Sequence, residues 1–204
     1  MDLLDFDAQP LYFDEPLPEA VMQLIEQAAE LYGEPEAEAL LTRAHETAPE
    51  HLVVQVARYR YYFYTHRLAE AETVAWHVIA LVATRLDLPL DGRRISLSAF
   101  GHAVAASMTL TRFYLSALKA VAYLKMRRRD LAGARVLLEN IVALDPADRL
   151  GCQVLLRITQ EYEDAEDARD TDHADDHQRT EAGASVPPRP PGAVVRNASA
   201  FPIP

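Results

Sequence analysis

LKAVAYLKMRRRDLAGARVLLENIVALDPAD, residues 118–148, is the stretch whose reading decides the fold. Its second half places Ala134, Leu138 and Ile141 at three- and four-residue steps, one face of an α-helix, and Pro146 then stops that helix. The same grammar closes two earlier segments. Residues 34–51 (EPEAEALLTRAHETAPEH) carry Ala37, Leu41, Ala44 and Pro49, and residues 67–81 (RLAEAETVAWHVIAL) carry Ala71, Ala75, Val78 and Leu81. Ala37 and Ala71 lie 34 residues apart, while Ala71 and Ala134 lie 63 apart, one such step plus a 29-residue insertion.

A repeat of this length, with a small residue opening its second helix and a proline closing it, resembles the tetratricopeptide family, whose unit of about 34 residues folds as two antiparallel helices. The resemblance implies units at 18–51, 52–85 and 115–148. Leu118, Val121, Ala122 and the Asp130–Leu131 corner of the third all stand in family positions. The expected fold is all-α: a TPR-like α-solenoid of about three helix-turn-helix units, with a helical insertion over 86–114, a capping helix over 149–163, an acidic arm over 1–17 and a disordered tail over 164–204 that is acidic, then proline-rich. The middle unit departs from the pattern, with Arg58 and Tyr59 at positions where the family prefers Leu and a small residue, and with no closing proline. Its run Arg58-Tyr59-Arg60-Tyr61-Tyr62-Phe63-Tyr64 has strand propensity but is flanked by helical pattern without a turn signal, so a helix is expected. In the insertion, Pro89 and Gly92 mark a loop and Ser96 or Ser98 an N-cap. Beyond them, either one long helix or an extra helix joined to the third unit fits.

Composition bounds the function class. The chain has 204 residues, half of them apolar, and a net charge of −11. The lone Cys152 excludes an intramolecular disulfide and fits a reducing compartment. The acidic N-terminus is no secretory signal, and no apolar stretch approaches about 18 residues, so nothing is expected to span a membrane. A cytoplasmic location follows. Charge is segregated: residues 1–51 hold 13 acids and one base, 52–160 hold 8 acids and 15 bases, and 161–204 hold 10 acids and 4 bases. A basic middle between acidic ends points to something negative facing it, a partner or the chain's own tail.

No phosphate loop, nucleophile elbow or zinc-protease pair is present, so no catalytic residue and no cofactor is expected. His173 and His177 stand four apart among carboxylates and read as a solvated tail rather than a metal site. Cys152 reads as a structural thiol. The informative constellation is basic and aromatic. The tetratricopeptide resemblance implies a concave surface lined by first helices, presenting Met22 and Glu26, then Val56, Arg60, Phe63 and Tyr64, then Lys119, Tyr123 and Arg127. Arg60, Phe63, Tyr64, Lys119, Tyr123 and Arg127 are the expected partner-binding residues: the cations pair with carboxylates and the rings stack on apolar side chains. The same residues also read as ordinary core aromatics beside a solvated cationic face.

The carboxylate clamp by which chaperone-adaptor members grip a C-terminal peptide is absent, because Met22, Glu26, Ala57, Ser116 and Ala120 occupy its positions. The acidic balance argues against nucleic acid. Pro187–Pro191 resembles a polyproline ligand or a stiff terminus. The LDFDAQPLYFDEPLPEAV opening, YYFYTHRLAEA and the LKAVAYL to LDPADRLG stretch further resemble small bacterial proteins of this repeat type associated with nitrogen-fixation gene clusters. The leading expectation is a non-enzymatic adaptor or assembly chaperone for an acidic or aromatic-bearing protein segment. Two alternatives stand beside it: a self-associating protein that forms a homodimer through 98–114, and a metal-delivery factor using the His/Asp tail.

Overall fold

Leucine and alanine at helical spacing, with glycine scarce, lead to helices throughout. The computed structural model describes residues 15–182, and the side chains of 167 and 170–182 lie outside that description. Among the described residues there are eight α-helices and no strand: α1 Glu19–Glu30, α2 Pro35–Thr47, α3 Leu52–Tyr64, α4 Leu68–Leu86, α5 Leu97–Ala106, α6 Met108–Arg127, α7 Leu131–Leu144 and α8 Cys152–Ala182. The chain divides into two compact units, Met1–Asp164 and Ala165–Pro204.

Within the first unit, helices pack in the order of a solenoid. α1 lies on α2, α2 on α3, α3 on α4, α4 on α6 and α6 on α7, while the inserted α5 lies against α6 and α4. The three expected hairpins are therefore α1–α2, α3–α4 and α6–α7. Ala37, Ala71 and Ala134, the repeat's small residues, are fully buried, as close helix approach demands. The hairpin corners repeat as well. Each contains a residue in the left-handed region: Gly33 (φ 98°), His66 (φ 60°) and Arg129 (φ 66°). In the second and third, the next amide reaches back five residues, Arg67 N to the Tyr62 carbonyl and Asp130 N to the Lys125 carbonyl, both at 2.9 Å. This is the helix-closing bond of a Schellman turn.

Local chemistry sets the boundaries. Pro35 opens α2 at its first turn, where a missing amide proton costs nothing. His51 caps α3 by accepting the Val53 amide at its Nδ1, and Asp130 caps α7 by accepting the Gly133 amide at 3.0 Å. With no proline to stop it, α4 runs 19 residues to Leu86 and ends on Asp87 in the left-handed region. The Arg58–Tyr64 run is helical. Tyr59, one of the departures from the repeat pattern, is buried and stacks on Phe63 with ring centroids 5.8 Å apart.

The insertion resolves into an extra helix joined to the third unit. Ser96 caps α5 through the Ala99 amide, and Ser107 caps α6 through the Leu110 amide. The first helix of the third unit thus starts at Met108, seven residues ahead of the expected 115. Gly92 is required where the insertion crosses α6. Its φ is +64°, and a Cβ there would meet Leu118 Cδ2 at 2.2 Å.

One core runs through Leu52, Ile79, Val82, Tyr114, Leu118, Leu124, Leu138 and Ile141 to Cys152, with Leu155 and Leu156 of α8 packed against it. The start of α8 therefore caps the third hairpin. α8 also differs from expectation in length, continuing past 163 to Ala182. Between Gly151 and Gly183 the sequence has neither proline nor glycine, so no residue interrupts the backbone pattern. Residues 1–14 of the expected arm and 183–204 of the expected tail lie outside the described residues.

Candidate functional site

The aromatic run of α3 and the C-terminal turns of α6 meet on one face. Arg60, Phe63 and Tyr64 share a side of α3 because three- and four-residue steps nearly complete a turn, and Tyr123 and Arg127 do the same on α6. Phe63 joins the two helices, with its ring centroid 6.1 Å from that of Tyr123 and 5.6 Å from that of Tyr64. The Arg127 guanidinium carbon sits 5.9 Å from the Tyr123 ring centre, and its Nη1 donates to the Tyr123 hydroxyl at 3.3 Å. Tyr64 is 42% exposed. Phe63 and Val56 are partly buried against the core, which anchors the surface below. Four of the six expected residues, Phe63, Tyr64, Tyr123 and Arg127, are thus contiguous, and Arg60 lies on the same side of α3.

Lys119 is a correction. It is 9% exposed, and its ammonium donates to the Leu150 carbonyl. Positions 119, 123 and 127 share one side of α6, but the loop before α8 closes over the first of them, so Lys119 holds that loop. The loop is itself ordered by carboxylate caps: Asp145 accepts the Leu150 amide at 2.8 Å, and Asp148 accepts the Cys152 amide at 2.7 Å. Burial pushes the nearby Cys152 thiol up to about 11 despite the opposing Lys119 charge, so it stays protonated at neutral pH. Met22 and Glu26 are exposed on α1, and no ring or polar contact joins them to the α3–α6 face among the described residues.

What distinguishes this face is how its cations are spent. Of the Lys125–Arg129 run, Lys125 and Arg128 turn to the buried Glu72 of α4. Lys125 Nζ lies 3.4 Å from Oε1 and also binds Asp130 at 2.5 Å, while Arg128 binds Oε2. Trp76 Nε1 adds a bond to Glu72 at 3.4 Å. Burial alone would lower Lys125, but its bonds to Asp130 and Glu72 hold it above the ordinary lysine value; the reciprocal bond lowers Asp130. Arg67 is likewise committed, to Glu38 at 2.6 Å and Glu70 at 2.8 Å. Arg60 and Arg127, by contrast, make no ion pair among the described residues. One guanidinium on the half-buried Tyr123 ring and another on the Tyr64 side of α3, neither ion-paired among the described residues, suit a carboxylate-bearing ligand.

Two features were not anticipated. Tyr59 stacks under Phe63 from the buried side. Arg129 lies 5.7 Å from the Tyr162 ring centre on α8, a pairing with no signal in the repeat register because Tyr162 follows the last unit. His173 and His177 lie outside the residues whose side chains are described. Among those that are, no three His, Cys, Asp or Glu gather to hold a metal ion. No helix among the described residues is long and apolar enough to cross a membrane.

No protein-family model matches the chain, and no solved structure matches it. A similar protein is found in Azotobacter chroococcum mcd 1, described as an uncharacterized 19.8 kDa protein in the nifW 5′ region. It is 40% identical over 162 residues, 79% of this chain and 90% of the relative.

Proposed function

The chain belongs to one family with this Azotobacter chroococcum protein, and from that premise we propose that it is a non-enzymatic adaptor or assembly chaperone of the tetratricopeptide type. It holds a segment of a client protein on the α3–α6 face, in the cytoplasm. The relative's place in the nifW 5′ region supports a client in the nitrogen-fixation machinery, a nitrogenase component or one of its assembly factors. The observation that carries the binding reading is the Phe63–Tyr123 contact. It fuses the ring surfaces of two first helices into one platform, flanked by Arg60 and Arg127, which pair with no carboxylate among the described residues. The client segment that fits is acidic, with an apolar or aromatic side chain to lay on Tyr64 and Tyr123.

Co-purification from the native host, followed by mass spectrometry, identifies the client. The double variant Arg60→Glu/Arg127→Glu then tests the face. Loss of both cations is expected to weaken client affinity at least about thirtyfold, roughly 2 kcal/mol, with the melting temperature unchanged because both side chains are outside the core. Full affinity in that variant, measured at low salt, removes the α3–α6 face from the function.

A further inference from the structure

α5 is the most apolar helix of the first unit and the least covered. Only Ala103 of its ten residues is buried, while Leu97 is 75% exposed and the adjoining Leu90 and Met108 are 59% and 55% exposed. From Ile95 to Thr111 the sequence contains no Asp, Glu, Lys or Arg, on a chain in which a quarter of residues are charged. The rim of this face is cationic. Arg93, Arg94 and Arg112 are exposed and make no ion pair among the described residues, with Asp87 and Asp91 the acids nearest in sequence.

The described chain begins against the last turns of α4, from which the loop to this face departs. The Glu15 carboxylate binds Arg85 of α4 at 3.2 Å, and its carbonyl meets His51 Nε2 at 3.1 Å. Arg85 stands two residues before Asp87, where the loop to α5 starts. The fourteen residues before Glu15, MDLLDFDAQPLYFD, contain Leu3, Leu4, Phe6, Leu11, Tyr12 and Phe13 interspersed with Asp2, Asp5, Asp7 and Asp14, and no base. Apolar side chains between acids complement an apolar surface rimmed by arginines.

We propose that the face made by the 88–95 loop, α5 and the start of α6 is the docking site for residues 1–14 of the same chain. Reach is sufficient, since fourteen residues span up to about 45–50 Å, and the tether supplies an effective concentration on the order of millimolar. A second copy is the poorer occupant, because a symmetric contact brings Arg93, Arg94 and Arg112 of both copies together. The tethered segment instead carries the opposite charge.

Hydrogen exchange on the full chain tests this. In Phe6→Ser/Phe13→Ser, amides of Leu97–Met108 are expected to exchange about tenfold faster or more than in the unsubstituted protein, with α3, α4 and α7 unchanged as the control for folding. Unchanged exchange in α5 overturns the proposal. Exchange in α5 of the unsubstituted chain that slows with rising protein concentration also overturns it, and assigns the face to a second copy.

Discussion

The first and third hairpins follow one grammar and bury very different amounts. α6 buries eleven residues, Tyr114, Leu118 and Leu124 among them, whereas α1 buries only Val21 and Ala28. The third hairpin shares the core that runs from Leu52 to Cys152. The first is held by two small clusters, Val21, Ala44 and Val54 in one and Ala28, Ala37 and Leu41 in the other. Position in the stack explains the difference: α6 is covered by α4, α5 and α7, while α1 packs mainly on α2. A repeat pattern therefore specifies which residues turn inward, and the neighbours specify how much that burial stabilises.

Leu41 and Leu138 occupy the same repeat position, so they compare the hairpins directly. Leu138→Ala is expected to destabilise by about 4 kcal/mol and Leu41→Ala by about 2, the upper and lower parts of the range for buried leucine. Denaturant unfolding measures both, and equal costs would break the comparison. Carboxylates sharpen it at a smaller scale. Glu72→Ala leaves Lys125 and Arg128 without their buried partner and is expected to cost about 2 kcal/mol. Glu38→Ala, which removes a half-exposed pair with Arg67 and the acceptor of the Tyr62 hydroxyl at the joint of the first two hairpins, should cost about 1 kcal/mol.

The smallest effect concerns pH at that same joint. His45 Nδ1 accepts a hydrogen bond from Gln55 Nε2 at 2.9 Å and has the His77 ring 6.2 Å away. Burial, then the charges of Arg58 and His77, hold it below its ordinary value of 6.5. The unfolded chain takes up this proton first as pH falls. The His45 contribution is thus present above pH 6.5 and is lost as pH drops through the lower folded value. Thermal melts between pH 7.5 and 5 should show this loss, and His45→Gln should reduce the slope. An unaltered slope assigns the acid sensitivity to other groups.

The three hairpins were legible because close helix approach demands alanine at fixed spacing and proline closes the first and third units. Where they end was less so. Ser107, which separates α5 from α6, is an unremarkable serine until its hydroxyl is seen accepting the Leu110 amide. Of the proposed binding face, the periodicity placed Arg60, Phe63 and Tyr64 on one side of α3, and Tyr123 and Arg127 on one side of α6. It could not show that Lys119 is covered, since the covering loop and α8 lie beyond the last repeat. Nor could it sort the Lys125–Arg129 run, because Glu72, which binds Lys125 and Arg128, is more than fifty residues earlier in the chain. Periodicity reports which face a side chain takes, not which distant charge meets it.

Site-specific photo-crosslinking in the native host tests the central claim most directly. A photoreactive residue replacing Tyr64 on the α3–α6 face is compared with one replacing Thr73 on the exposed side of α4. Capture of the client from position 64 and not from 73 is the predicted result. Capture from 73 alone, or equally from both, would contradict it.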